Sequence, residues 1–145
     1  ERLQTLPGVQ KLIVQEVQSV APSFFNSLVS GDMLIIDTSH IVRIDGDVNF
    51  LYSEVLPFLN EGVLVHVHDI PFPYLCYAGN PVVYEWLMFW QEAYLLKAFL
   101  SHNRAFEVVF SSSQMWHQQR DLLQQAFPDR SVSACPMSLW MHRHS

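Results

Sequence analysis

The chain is short of charge, cysteine and glycine, and it lacks any unbroken apolar run long enough to cross a bilayer. Charged residues make up 15% of its 145 residues, with 8 Lys and Arg against 14 Asp and Glu and a net charge of −6. A nucleic-acid partner or an anionic membrane surface calls for a basic footprint, so both are set aside as partners. Two cysteines, Cys76 and Cys135, are too few for a disulfide framework. They are expected to be ordinary buried thiols in a cytoplasmic setting. The apolar stretch around Trp86 to Leu100 is interrupted by Gln91, Glu92 and Lys97, which makes it a poor membrane span. No signal-peptide pattern opens the chain. Its first residue is Glu1 rather than Met, and we expect further sequence to precede it.

What is present is half hydrophobic, and enough chain to bury the core of one domain over residues 1–145. Short β-branched runs alternate with helical patterns, which predicts an α/β fold with a mainly parallel sheet. Lys11 to Val20 is expected to be a strand, and Pro22 suits the first turn of a short helix. Gly31-Asp32 turns into the strand Met33 to Asp37. Asp45-Gly46-Asp47 precedes a helix over Val48 to Leu59. Gly62 opens the strand Val63 to Ile70, whose near-continuous apolar character implies helices on both faces of the sheet. Further on, the pattern predicts a loop from Pro71 to Pro81, a long helix from Tyr84 to Ser101, and a strand over Phe106 to Phe110. A helix over Met115 to Phe127 and a last strand over Ser133 to Met141 complete the order.

In such sheets ligands gather at the carboxyl ends of the strands. Two strands end in polar residues there: one in Asp37-Thr38-Ser39-His40, the other in His66-Val67-His68-Asp69. Oxygen and imidazole groups converging on one crevice can hold a divalent cation or move a proton. Asp37 and Asp69 are the candidate ligands. His40, three residues past Asp37, is the candidate general base, since a histidine titrates near neutrality. His66 and His68 alternate with valine and so face one side of the sheet. His66, lying deeper, is expected to be a hydrogen-bonded core residue. The helix aromatics Phe89 and Trp90 follow helical spacing and are expected to fill the core, whereas the Pro71–Pro81 loop is long enough to wall a substrate site. His142-Arg143-His144 is expected to be a solvated tail rather than a metal site.

Several segments resemble, in order, a bacterial group of class I S-adenosylmethionine-dependent methyltransferases. Asp32 to His40 (DMLIIDTSH) is similar to that group's D-x-L-F-I-D-S-S-H. Leu56 to Val63 matches L-P-x-L-x-x-G-V, and His66 to Ile70 matches H-x-H-D-I. Trp90 to Leu100 (WQEAYLLKAFL) resembles W-N-E-x-Y-L-L-x-A-F-L, Phe106-Glu107-Val108 follows as F-E-V, and Ser138-Leu139-Trp140 looks like the terminal S-x-W. The resemblance covers most of the chain from about Leu12.

It implies a Rossmann-like methyltransferase sheet, mainly parallel with an antiparallel C-terminal strand. It also implies methyl transfer from S-adenosylmethionine to the hydroxyl of a small molecule such as a sugar. Related enzymes bind magnesium at the ends of the strands matched here, which places Asp37 and Asp69 as ligands, His40 as base and His68 as a second proton-handling or hydrogen-bonding group. Position 68 departs from that pattern, because imidazole is a donor that magnesium disfavours. Glu16 and Gln18 are the expected contacts to the cofactor's adenine edge.

None of the five glycines, Gly8, Gly31, Gly46, Gly62 and Gly79, forms the family's glycine-rich cofactor turn. The cofactor-binding strands are therefore expected to lie before Glu1, with the chain on its own inactive. Two alternatives follow. One is a non-catalytic methyltransferase-like module that assembles, for instance with a second copy, through an unpaired sheet edge. The other is a metal-dependent hydroxylase or hydrolase built on Asp37, His40, His68 and Asp69.

Overall fold

The computed structural model describes residues 6–74, 85, 87–128 and 135–144. Four strands form one mixed sheet: β1 (Met33–Ile36), β2 (Leu64–His68), β3 (Phe106–Ser111) and β4 (Ser138–Arg143), in the order β1-β2-β4-β3. β1 and β2 run parallel, with Ile36 opposite Val67. β4 lies antiparallel to both β2 and β3. The fold is α/β and its last strand is reversed as expected, but that strand lies between β2 and β3, so one pairing of the three is parallel and the sheet is mixed rather than mainly parallel.

The sheet positions the core on one face. Val63, Val65 and Val67 are fully buried, and the register sets Leu34 and Met141 beside Val65, and Ile36 and Leu139 beside Val67. This row packs on Val48, Leu51, Val55 and Leu56, and on Ala93 and Leu96. Each fully buried aliphatic side chain contributes about 1.5–3 kcal/mol. Val48 belongs to helix α2, which follows the short helix α1 (Pro22–Phe25) and starts as a regular turn over Asp47–Phe50. It widens into a π-turn over Leu51–Val55 and tightens to a 3₁₀ turn at Leu56–Phe58, where Pro57 cannot extend the ladder. Ala93 and Leu96 belong to helix α3 (Glu92–Leu100).

The other face of the sheet differs from expectation. It carries Met33, Ile35, His66, His68, Trp140 and Phe110, and Ile35 is 63% exposed. The apolar run of β2 proves to be an alternation, with valines turned to the core and histidines away from it.

Gly62 sets the turn into β2. Its φ is +85°, and a Cβ there would lie 2.9 Å from Ser30 Cα, while its carbonyl accepts from Gly31 N at 3.0 Å. Only glycine accommodates both demands.

Five further expectations are corrected. Lys11 to Val20 forms no strand: it runs irregularly into a 3₁₀ turn at Val17–Ser19, with Val14 out in solvent. A β-branched run without a neighbouring strand has nowhere to place its backbone hydrogen bonds, and among the described residues β1 pairs with β2 alone.

The helix expected from Tyr84 begins at Glu92. Leu87 has φ +53°, and Leu87 to Gln91 are not helical; Tyr84 and Trp86 lie outside the described residues. The helix expected over Met115 to Phe127 is two, α4 (Ser112–Gln118) and α5 (Arg120–Ala126), divided at Gln119 with φ −141° and ψ 44°. Ser111 caps α4 by accepting from Gln114 N.

Finally, the carboxyl terminus is no loose tail. His142 and Arg143 complete β4, and His144 N donates to Ala105 O at 2.7 Å. Cys135 is a free, half-buried thiol rather than a fully buried one; Cys76 lies outside the described residues. Among these residues no helix is long and apolar enough to cross a membrane.

Candidate functional site

Parallel pairing of β1 and β2 brings both carboxyl ends to one edge, so Asp37 and Asp69 open onto a common crevice. His40 stands between them. Its Nε2 lies 3.9 Å from Asp37 Oδ1 and 3.8 Å from Asp69 Oδ2. The backbone makes this possible by a double reversal: His40 has φ +59° and Asp69 φ +54°. Left-handed backbone costs on the order of 1–3 kcal/mol for residues other than glycine, and clusters where function demands it.

His40 is buried, at 7% exposure. Its Nδ1 meets Glu92 Oε2 at 2.8 Å, and the carbonyl of the same residue accepts from Gln91 N and Glu92 N. The loop after β1 is thus fastened to the start of α3 by both side chain and main chain. Trp90 lies against the imidazole, ring centroids 4.6 Å apart.

Glu92 is buried, at 1% exposure. Besides His40 it accepts from Thr38 Oγ1 at 2.6 Å and from Tyr52 Oη at 3.1 Å. Burial and the neighbouring Glu92 charge push the Tyr52 phenol well above its usual 10.0, so it stays a donor. Burial of His40 works against its charged form. The hydrogen bond and charge of Glu92, with the charges of Asp69 and Asp37, outweigh it and raise the ring above the ordinary 6.5.

The rest of the loop is held from α2. Asp47 Oδ2 and Oδ1 accept from Ser39 N and Ser39 Oγ, each at 2.6 Å. These bonds lower its pKa in spite of partial burial. Beside the crevice lies a cavity of about 130 Å³, lined by Val17, Phe25, Leu34, Ile36 and Leu51 with Asp37, Thr38 and Asp47.

Of the expected site residues, Asp37, His40 and Asp69 come together. His68 joins only through Asp69, whose Oδ1 lies 3.6 Å from His68 Nε2, and its own ring points to solvent on the open sheet face. His66 is not a hydrogen-bonded core residue: it is stacked on Trp140, centroids 4.4 Å apart, with its Nε2 buried and lacking a partner. Of the aromatics expected in the core, Phe89 is exposed and Trp90 serves the His40 ring. Tyr74, in the described part of the Pro71 loop, lies tilted against His117, ring centroids 4.2 Å apart.

Glu16 and Gln18 do not follow a strand. Gln18 Nε2 donates to Asp45 O and weakly to Glu16 Oε2, and lines a separate hollow with Asp45, Asn49 and Glu54. Glu92, Tyr52 and Thr38 were not singled out in the sequence. The available signal was an acidic residue at the head of a largely apolar helix, two residues after Trp90.

The groups implied by the resemblance can be tested against this geometry. Magnesium takes near-octahedral oxygen ligands, whereas here an imidazole nitrogen occupies the gap between the two carboxylates. Among the described residues no set of three His, Cys, Asp or Glu side chains converges as a metal site. The residues do not fit magnesium. Nor do they cradle S-adenosylmethionine: the described glycines with left-handed backbone, Gly8, Gly31 and Gly62, are scattered, and Gly62 is spent on the approach of Ser30. No protein-family model, curated protein or solved structure matches the chain.

Proposed function

We propose that the crevice between β1 and β2 is the acceptor side of a methyl-transfer site, where His40 takes the proton from a small-molecule hydroxyl and S-adenosylmethionine, when bound, would supply the methyl group. The observation that carries this reading is the placement of His40: one nitrogen tied to buried Glu92, the other facing the crevice between Asp37 and Asp69. A histidine so held contributes about 10²–10⁴-fold as a general base. The sequence resemblance, and a reversed last strand lying against β2, support the class of reaction. The neighbouring cavity suits an acceptor with a short aliphatic part beside its hydroxyl: a 150 Å³ apolar cavity holds about one benzene, and this one is about 130 Å³. The donor's own binding groups would come from outside the described residues.

The test uses the polypeptide as the cell makes it, with radiolabelled S-adenosylmethionine and a panel of sugar and aliphatic alcohols. His40→Asn should lower turnover by roughly 10²–10⁴-fold and leave calorimetric affinity for S-adenosylhomocysteine unchanged. Absence of S-adenosylhomocysteine binding at millimolar concentration would remove the proposal.

One observation favours a second reading, a non-catalytic assembly module. The outer edge of β1 is unpaired among the described residues, and Met33 and Ile35 stand exposed beside it. Such an edge can add a strand from a second copy. Light scattering decides: a strictly monomeric chain argues against it.

A further inference from the structure

We propose that Glu92 is a positioning residue that commits His40 to the tautomer with its proton on Nδ1, leaving Nε2 as the nitrogen that reacts. This deepens the reading of His40 as a base, yet its physical basis is independent of which group is transferred.

The argument starts from donors and acceptors. A neutral imidazole carries one N–H and one lone pair, and its partners decide which nitrogen has which. The Nδ1 partner is Glu92 Oε2 at 2.8 Å, a carboxylate oxygen in a buried site. The two hydroxyls that also reach Glu92 are both placed as donors, Thr38 Oγ1 at 2.6 Å and Tyr52 Oη at 3.1 Å. Three donors then converge on an acceptor-only group. With the alternative tautomer, the Nδ1 lone pair would face the carboxylate, and two acceptors would repel each other out of reach of water. A buried mismatch of that kind disfavours the alternative tautomer.

At Nε2 no such bond is made: Asp37 and Asp69 sit at 3.9 and 3.8 Å, beyond hydrogen-bonding distance. That nitrogen is therefore available to a hydroxyl entering the crevice. On transfer the O–H bond breaks, an Nε2–H bond forms, and the electron pair stays on the acceptor oxygen. The resulting imidazolium has Glu92 on one side and the two aspartates on the other. Glu92 itself remains without the proton, and its place on the first turn of α3, beside the carbonyl of His40, fixes the ring's direction.

The test is the ¹⁵N chemical shifts and two-bond ¹H–¹⁵N couplings of the His40 ring in the 145-residue chain, at a pH where the ring is neutral. Wild type should show the Nδ1–H form as the dominant species. Glu92→Gln, which keeps the shape and offers an amide, should raise the Nε2–H form severalfold, and Glu92→Asp should restore the wild-type pattern in part. A dominant Nε2–H form in wild type overturns the proposal, whether or not the variants fold. So does a folded Glu92→Gln chain with an unchanged tautomer ratio. Should methyl transfer fail while the tautomer result holds, the proposed reaction falls and the role of Glu92 stands.

Discussion

His40 and His66 are the same residue type at neighbouring strands, and their surroundings drive them in opposite directions. His40 sits in the angle between β1 and α3, where a buried carboxylate and two more aspartates favour its charged form and raise its pKa. His66 sits on the open face of β2. There, partial burial and the nearby His68 outweigh the charge of Asp37 and lower its pKa. Its ring lies flat on Trp140, and its buried Nε2 finds no acceptor or donor. The lesson is that an imidazole's chemistry follows from what faces each nitrogen, and that two histidines at neighbouring strands are not two equivalent site candidates.

The largest expected effect tests how tightly the His40 cluster is bound together. Glu92→Ala strips His40, Thr38 and Tyr52 of their common acceptor, and removing one partner of a buried ionic pair costs about 3–5 kcal/mol. His66→Ala should cost under about 1 kcal/mol, since it leaves no partner unpaired. Urea denaturation of both variants checks this; equal losses would dissolve the contrast.

A somewhat smaller effect separates the two faces of the sheet. Leu96→Ala opens the core and should cost about 2–5 kcal/mol, while Ile35→Ser on the open face should stay within about 0.5 kcal/mol. A large loss for Ile35→Ser, read from the same denaturation curves, would show that face to be covered in solution.

The smallest effect is a sign. His40 binds its proton more tightly folded than unfolded, so its contribution to stability is whole below about the ordinary 6.5 and fades as pH rises through the raised folded value. His66 binds its proton less tightly when folded. Its contribution is whole above 6.5 and fades as pH falls through the lowered value. Stability measured from pH 8 down to pH 5 should therefore show wild type gaining on His40→Asn as pH falls, and losing ground to His66→Asn over the same range. Parallel curves for the two pairs would break the comparison.

Much of the sheet was legible in the sequence. Met33 to Ile36 and Leu64 to His68 announce themselves by apolar runs after glycine turns, and their parallel pairing follows from the helix pattern between them. That pairing alone placed Asp37 and Asp69 at one edge. Lys11 to Val20 misled because composition signals a willingness to extend but says nothing of a neighbour to bond with. The Met115–Phe127 pattern was right in kind, yet periodicity does not register the single backbone break at Gln119. Glu92 escaped notice because it is 52 residues from His40 along the chain, and a lone glutamate at the head of a helix reads as a solvated charge.

The order of residues by itself settled that Met33 to Ile36 and Leu64 to His68 extend, and which polar groups end up where those two parallel strands stop, since those follow from local hydrophobic period and turn chemistry. Only the folded arrangement decided what each of those groups faces. Burial of Glu92 against Tyr52 and Thr38, the left-handed turns at His40 and Asp69, and the exposure of His68 all depend on contacts between distant segments. Electrostatic neighbours act across space, and a side chain's proton is held or released by them.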